Sequence, residues 1–244
     1  MLVSARVTSP ARHLFPALLL LTAAVFFVLI YMIFLVAPPA QEAAGGIAQK
    51  IFYFHVPSAY AMYLSGAVCF VASAAYLAAP SNGRNALARA GAECAVVFGA
   101  MMLTSGPLWA KKAWGVYWTW DPRLTTLLLS VMIYVAVVVL RAFAGDGDAE
   151  RKFAAALGVL GTVNLPIIHY SVMKWGGNHP TVIGKGGGGL GHPAMKLTLM
   201  VGFVAMTLLA VLLIWLRTRL SLLSSSLAEA EEKVLALEYE HEEP

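Results

Sequence analysis

The chain contains 244 residues, of which 59% are hydrophobic and 12% are charged, and its mean hydropathy is +0.73. Soluble domains are about half apolar and about a quarter charged, so this composition excludes an ordinary soluble protein and indicates a polytopic membrane protein. The formal net charge is +4. Cys69 and Cys94 lie in apolar runs without CxxC spacing, which predicts neither a disulfide framework nor a dithiol redox site.

Six apolar stretches are long enough, or nearly so, to cross a bilayer core that needs about 20 helical residues. They cover residues 14–37, 58–79, 90–106, 124–140, 153–172 and 193–216. The first exceeds the roughly 7–15 apolar residues of a signal peptide, so we expect a retained helix. The predicted fold class is an all-α integral membrane protein, with six transmembrane helices in residues 1–216. Because the third and fourth stretches are short, we expect the segment between them to dip into the membrane interface.

The end of the chain, residues 217–244, has a different character. Apolar residues recur there at loosely helical intervals among acidic ones, which predicts a short, acidic, amphipathic helix. With six spans, this tail lies on the same side of the membrane as the N-terminus. It either contacts a partner or presents a solvated face.

The distribution of charge suggests an orientation. The side that holds the termini carries nine cationic residues near the spans and the other side carries seven, so the positive-inside rule weakly favours cytoplasmic termini. On the other, outer side, Glu42 and Asp121 are the only acids. This excess of positive charge favours an outer-face site for an anion. The seven outer cations are Lys50, Lys111, Lys112, Arg123, Lys174, Lys185 and Lys196.

The tryptophan segment, residues 107–126 (PLWAKKAWGVYWTWDPRLTT), contains four of the six tryptophans. An interfacial aromatic belt explains one or two tryptophans at a helix end, but not four in such a short stretch. Indole rings offer large flat apolar faces, and cations lie beside them here, which suits a flat, apolar, anionic ligand. An aromatic belt alone stays an alternative. The four residues are Trp109, Trp114, Trp118 and Trp120.

Asp121 and Pro122 have a second interpretation. Asp is a favoured N-cap, Pro is common at the first helical position, and a long apolar run follows at once. Asp121 therefore caps a helix, belongs to the ligand site, or does both.

The histidines cluster near the same predicted face. His55 lies in IFYFHVPSAY, just before the second span, where Pro57 can begin a helix, and His179 lies in KWGGNHPTV after the fifth span. We expect both in outer loops. His192 lies in the last outer loop, and His169 lies at the outer end of the fifth span. A loop histidine is often only a solvated residue, but imidazole is also a standard axial ligand of haem iron, and haem is flat and apolar with two propionates.

These residues carry a resemblance to a known family. WGVYWTWDPRLT resembles the WWD signature of the CcmC family, the haem-handling membrane proteins of system I cytochrome c maturation, and related cytochrome c synthases share this signature. IFYFHVPSA and VNLPIIHYSV are similar to the segments that flank the two outer-loop haem-ligand histidines of that family. The resemblance covers residues 47–215. The ligand positions of the family fall on His55 and His179, whereas His169 belongs to a neighbouring motif.

The resemblance implies a function in haem delivery during c-type cytochrome biogenesis. In this family, haem b is bound transiently, as cargo, at the periplasmic face of the bacterial inner membrane, with His55 and His179 as the implied axial ligands of the iron. Lys111, Lys112 and Arg123 are candidates to pair with the propionates. The implied haem platform consists of Trp109, Trp114, Trp118, Trp120 and Asp121.

The resemblance also implies partners within a membrane protein complex. Haem would pass to the periplasmic haem chaperone CcmE, whose own histidine becomes linked covalently to a haem vinyl group. The ABC transporter subunits CcmA and CcmB and the small membrane protein CcmD are the other expected partners. We therefore expect a delivery component rather than a classical enzyme.

Two other functions stay open from the sequence. One is a haem lyase that acts directly on the CXXCH motif of apocytochrome c, although larger relatives with additional spans and soluble domains do this. The other is a membrane b-type cytochrome for electron transfer, a class that usually sets its histidines inside the bilayer. Only His169 is a near-membrane candidate of that kind.

Overall fold

The computed structural model describes residues 11–42, 45–143, 147–177, 179 and 190–242. It confirms the all-α architecture, with six helices long and apolar enough to cross a membrane and no strand among the described residues. A π-helical turn (Met32–Val36) follows the first helix, and a 3-10 turn (Gly46–Ile51) leads into the second. The helices are α1 (Ala11–Tyr31), α2 (Phe52–Ala78), α3 (Asn82–Trp114), α4 (Pro122–Phe143), α5 (Asp148–Trp175) and α6 (Pro193–Glu242).

The expectation that the third span is short is wrong. Helix α3 has 33 residues and extends beyond the apolar run 90–106 at both ends. Ser81 caps its start, because its Oγ accepts the backbone N–H of Arg84 at 3.3 Å. The helix continues through charged residues on either side of its apolar core. The hydropathy of the sequence therefore located the apolar core of α3 but not the ends of the helix. The first half of the tryptophan segment consequently belongs to α3.

The expectation that His55 lies in a loop is also wrong. Helix α2 begins at Phe52, after the 3-10 turn, so His55 is helical and Pro57 lies inside the helix instead of at its first position. Proline lacks an N–H, which leaves the carbonyl of Tyr53 without its usual helical partner. Gly202 of α6 packs at this point, where an added Cβ would come within 2.8 Å of the Tyr53 oxygen. Close packing by α6 thus accommodates the interior proline.

Small and polar side chains join the helices in the middle of the bundle. Asn164 of α5 donates to the Thr126 carbonyl oxygen of α4 at 2.8 Å and to Ser130 Oγ at 2.7 Å. Tyr134 Oη and Thr162 Oγ1 are 3.0 Å apart. In a membrane, such contacts and close backbone approach replace part of the hydrophobic driving force. The buried apolar core around them includes Met62, Phe98, Leu127, Val131, Leu165 and Met206.

One end of the bundle, which we call the tail end, holds the α2–α3 turn and the continuation of α6. Glu93 of α3 pairs there with Arg89 at 3.1 Å and with Arg217 of α6 at 2.6 Å. Asn82 donates to Glu229 at 3.2 Å. The predicted tail is therefore the unbroken continuation of α6 rather than a separate helix, and most of its leucines are exposed. The opposite end, which we call the site end, holds His55 and the tryptophan segment.

Gly91 tests the close packing of α2 against α3. A Cβ on Gly91 would lie 2.6 Å from the Cys69 backbone nitrogen and 2.9 Å from the Ser65 oxygen, and backbone atoms cannot move aside alone. We expect Gly91→Ala to destabilise the protein by about 1–3 kcal/mol, the usual cost of overpacking. Gly83→Ala is the matched control, since nothing lies within 4 Å of its Cβ position in the same helix. Thermal unfolding of both variants in detergent measures the difference, and equal melting temperatures would contradict the expectation.

Candidate functional site

The tryptophan segment forms the link between α3 and α4 at the site end. Helix α3 ends because Gly115 adopts φ 78°, a left-handed conformation that favours glycine, and its N–H bonds to the Lys111 oxygen at 3.1 Å. Helix α4 begins after Asp121, whose Oδ1 accepts the Leu124 N–H at 2.9 Å, with Pro122 at the first helical position. The interpretation of Asp121 as an N-cap is confirmed, and its role in a ligand site stays a prediction.

The four tryptophans of the segment form two pairs instead of one flat surface. Trp109 and Trp114 have ring centroids 5.4 Å apart at an interplanar angle of 81°. Trp118 and Trp120 lie 5.7 Å apart at 78°. In each pair, only one ring at a time can therefore lie parallel to a flat ligand. Trp109 is fixed further by a 3.2 Å hydrogen bond from its Nε1 to Gln49 Oε1, whereas Trp120 is 76% exposed.

His55 belongs to α2, and its imidazole packs against α3. Its Nδ1 is 2.9 Å from Ser105 Oγ. The next residue, Gly106, faces the imidazole so closely that an added Cβ would lie 3.1 Å from the ring carbon Cε1. Gly106 is one helical turn before Trp109, so the imidazole borders the start of the tryptophan segment.

His179 also borders the tryptophan segment, at Trp114, the last residue of α3. Its ring centroid lies 6.5 Å from that of Trp114, at an interplanar angle of 72°. Its Nδ1 lies 3.2 Å from Nη1 of Arg123, in the first turn of α4. Arg123 also donates from Nε to the Ile168 oxygen of α5 at 3.3 Å. One guanidinium thus connects α4, the end region of α5 and the loop that carries His179.

The three predicted propionate partners differ in their positions. Arg123 is half-buried and next to His179. Lys111 is exposed and donates to the Gly115 oxygen at 2.9 Å. Its Nζ also lies 5.3 Å from the centre of the Tyr117 ring, so both contacts are with residues that follow it closely in the chain. Lys112 is exposed on the last turn of α3. Of the three cations, Arg123 has the contacts that best suit a partner of a ligand carboxylate beside His179.

Three buried polar atoms of the WTWD stretch have no hydrogen-bond partner among the described residues. They are Nε1 of Trp118, Oγ1 of Thr119 and Oδ2 of Asp121. Buried polar groups in proteins nearly always have a partner, and exceptions call for an explanation. These donors and acceptors are candidates to contact the polar groups of a bound ligand.

The other two histidines that we predicted near the outer face have different surroundings. His192 is exposed, and its Nδ1 accepts the Ala194 N–H at 3.1 Å, so it acts as the cap of α6. His169 lies within α5, and its side chain is outside the described part of the structure. Among the described residues, no three His, Cys, Asp or Glu side chains converge on a metal site. Haem needs only one or two axial imidazoles, so His55 and His179 fit it.

Sequence reasoning missed three residues of this site, namely Gln49, Ser105 and Gly106. Ser105 and Gly106 lie in an apolar helix next to Pro107, where small residues indicate close helix packing and nothing more. Their contact with His55 joins two helices, and a single sequence does not pair distant positions. No pattern in the sequence indicated that Gln49 contacts the tryptophan segment.

Comparisons with known proteins point to one family. A family model described as Heme exporter protein C matches residues 3–233. Heme exporter protein C of Bradyrhizobium diazoefficiens is 33% identical over 169 residues, covering 69% of this chain and 64% of that protein. Heme exporter protein C of Escherichia coli K12 is 36% identical over 136 residues, covering 55% of each. The chain thus spans between about half and two thirds of the length of these relatives.

Proposed function

Because this chain belongs to the heme exporter protein C family of membrane proteins, we propose that it binds haem b at its site end and delivers it to the periplasmic haem chaperone CcmE. The observation that carries the proposal is the position of two imidazoles along the last turns of α3. His55 packs against Gly106, and His179 packs against Trp114. Two histidines from distant parts of the chain thereby border one tryptophan-rich surface.

The side chains present suit each part of a haem molecule. Two imidazoles supply the axial bonds to iron, and indole faces cover the apolar macrocycle. The guanidinium of Arg123, beside His179, is suited to a propionate because it can donate two parallel hydrogen bonds to one carboxylate. Trp118 Nε1, which has no partner among the described residues, is a further donor. We propose that the haem is cargo, held until the chaperone takes it, and that CcmA, CcmB and CcmD form a complex with this chain.

Transfer to the chaperone can be measured directly. We expect that co-expression with CcmE yields a chaperone band that stays haem-stained after denaturation, and that this band disappears when the gene for this chain is deleted. Staining that persists without this chain would contradict the proposal. A stained apocytochrome without any chaperone adduct would support the lyase alternative. A reversible redox cycle without any adduct would support the b-type cytochrome.

We also propose that the tail end faces the cytoplasm and the site end faces the periplasm of the bacterial inner membrane. The larger number of cations near the spans on the side of the termini, nine against seven, and the family resemblance support this orientation. We expect truncation fusions of a topology reporter at Asn85 and at Leu227 to report cytoplasmic locations, and a fusion after Trp114 to report a periplasmic one. A periplasmic signal from Leu227 would reverse the orientation and place His55 on the cytoplasmic side.

A further inference from the structure

The two candidate ligands make different hydrogen bonds. His55 Nδ1 faces a serine hydroxyl at 2.9 Å, and His179 Nδ1 faces a guanidinium at 3.2 Å. A neutral imidazole carries one proton, on one of its two nitrogens, and only the other nitrogen offers a lone pair to a metal. The partner at Nδ1 therefore decides which nitrogen is ready to bind iron.

The hydrogen bond at His55 has a definite direction. Ser105 Oγ lies 2.6 Å from the Met101 carbonyl oxygen, and two oxygens at that distance attract each other only with a hydrogen between them. The hydroxyl has a single hydrogen, and the carbonyl takes it. Ser105 can then only accept from His55, so the proton of His55 is on Nδ1. Its Nε2 offers the lone pair, and no hydrogen bond among the described residues occupies it.

Gly106 also restricts the position of the His55 imidazole. An added Cβ would lie 3.1 Å from Cε1, which leaves no room for a larger residue without moving the imidazole. Ser105 and Gly106 therefore set both the tautomer and the position of His55 before any ligand arrives. Removal of a group that orients a metal ligand typically lowers metal affinity by about 10–100-fold.

The hydrogen bond at His179 has the opposite direction, because its Nδ1 accepts where that of His55 donates. Arginine has donors and no acceptor, so Arg123 must donate to His179 Nδ1. Neutral His179 consequently carries its proton on Nε2. One nitrogen is occupied by Arg123 and the other is protonated, so His179 cannot bind iron until Arg123 releases it.

We propose, on the basis of the haem function proposed above, that the two ligands engage in a fixed order set by Ser105 and Arg123. Ser105 is a positioning residue that keeps His55 ready, and His55 binds the iron first. A propionate then takes the guanidinium of Arg123. The proton of His179 moves through solvent from Nε2 to Nδ1, and the Nε2 lone pair forms the second Fe–N bond. No electron is transferred in this sequence, and no bond of the haem is broken.

The role of Ser105 is tested in the full-length protein with the His179→Gly change, where only His55 can bind. We expect Ser105→Ala to weaken binding of added haem about tenfold and to lower the Fe–His stretching frequency of the ferrous form, because the Nδ1–H partner that makes the imidazole more basic is lost. Ser65→Ala is the matched control, since Ser65 is buried and bonds to its own helix carbonyl at 2.8 Å without touching a histidine. Equal affinity and stretching frequency in both variants would overturn this role.

The role of Arg123 is tested first without any mutation. Haem dimethyl ester has no free carboxylate, so we expect it to stop at a five-coordinate, high-spin complex on the unmodified protein, whereas haem proceeds to six-coordinate, low-spin iron. In Arg123→Ala, the ester should become low-spin as well, because His179 is no longer held. Lys152→Ala removes an exposed cation near the start of α5, away from the site end, and should behave like the unmodified protein.

The outcomes separate this inference from the function on which it rests. A low-spin ester complex on the unmodified protein, formed as fast as the haem complex, would overturn the ordered engagement while leaving haem binding intact. Haem spectra that do not depend on His55 or His179 at all would instead overturn the proposed function. Loss of the low-spin haem complex in Arg123→Ala would assign Arg123 to propionate binding alone and would also overturn the inference.

Discussion

Replacing both His55 and His179 with glycine is expected to abolish haem binding to the purified protein. The unmodified protein should carry substoichiometric b-type haem, because a delivery protein releases its cargo. Each single change removes one of the two proposed Fe–N bonds, so we expect an altered absorption spectrum and a shifted redox potential with some haem retained. Absorption spectra and haem content per protein measure all three variants.

Two controls accompany this experiment. His13→Gly removes an exposed histidine at the start of α1, at the tail end, and should leave haem content unchanged. Added imidazole can occupy the space left by His55→Gly, so recovery of the six-coordinate spectrum would show that the variant is folded. An unchanged spectrum in the double variant would contradict the ligand assignment. A spectrum that depends on His169 instead would favour the b-type cytochrome.

The sequence was sufficient for the fold class, for physical reasons, and it named the residues of a candidate site whose roles stay predictions. Apolar runs long enough for a bilayer predict spans wherever they occur, which is why all six helices were found. Helix ends were predicted less well, because caps and charged residues decide them and hydropathy does not. Asp121 shows the contrast, since Asp–Pro before an apolar run is a local signal and the cap is present. His55 was misplaced because the 3-10 turn before α2 lacks such a signal.

The site itself was predictable only as a set of residue types. The tryptophans, the histidines and Arg123 were singled out by their chemistry and by the family resemblance, and their roles stay predictions. Their arrangement depends on contacts between helices, such as the one between His55 and Ser105, and no local pattern encodes such a contact. The perpendicular tryptophan pairs are another example, because composition predicts flat surfaces and packing decides how many of them can face one ligand.

Removal of single tryptophans is expected to reduce transfer of haem more than its retention. Two axial bonds can hold haem without the indoles, whereas the proposed transfer to the chaperone requires the vinyl edge of the macrocycle in register with the chaperone histidine. A displacement of about 1 Å can cost roughly 10²-fold in such a step. Trp120→Ala is the most informative change, since its indole is 76% exposed and its loss leaves the core untouched. We expect bound haem to stay largely intact and the covalent chaperone adduct to fall by roughly one to two orders of magnitude.

The control for Trp120→Ala is Trp175→Ala, because Trp175 is 65% exposed at the end of α5 and lies outside the tryptophan segment. Trp114→Ala and Trp118→Ala extend the series to one half-buried member of each pair. Protein level, bound haem and adduct are measured together in each variant. If adduct falls only in proportion to protein level, the segment is an interfacial belt and has no role in transfer.

Asp121 separates a structural role from a role in the site. Asp121→Ala removes the cap of α4, which costs about 1 kcal/mol and lowers the amount of folded protein. Asp121→Asn keeps an oxygen for the Leu124 N–H and removes the negative charge at Oδ2, the buried atom without a partner among the described residues. If Oδ2 serves only the fold, Asn restores both protein level and adduct. We expect Asn to restore protein level but not adduct, because the amide keeps the cap and removes the negative charge of a buried carboxylate oxygen that has no hydrogen-bond partner among the described residues.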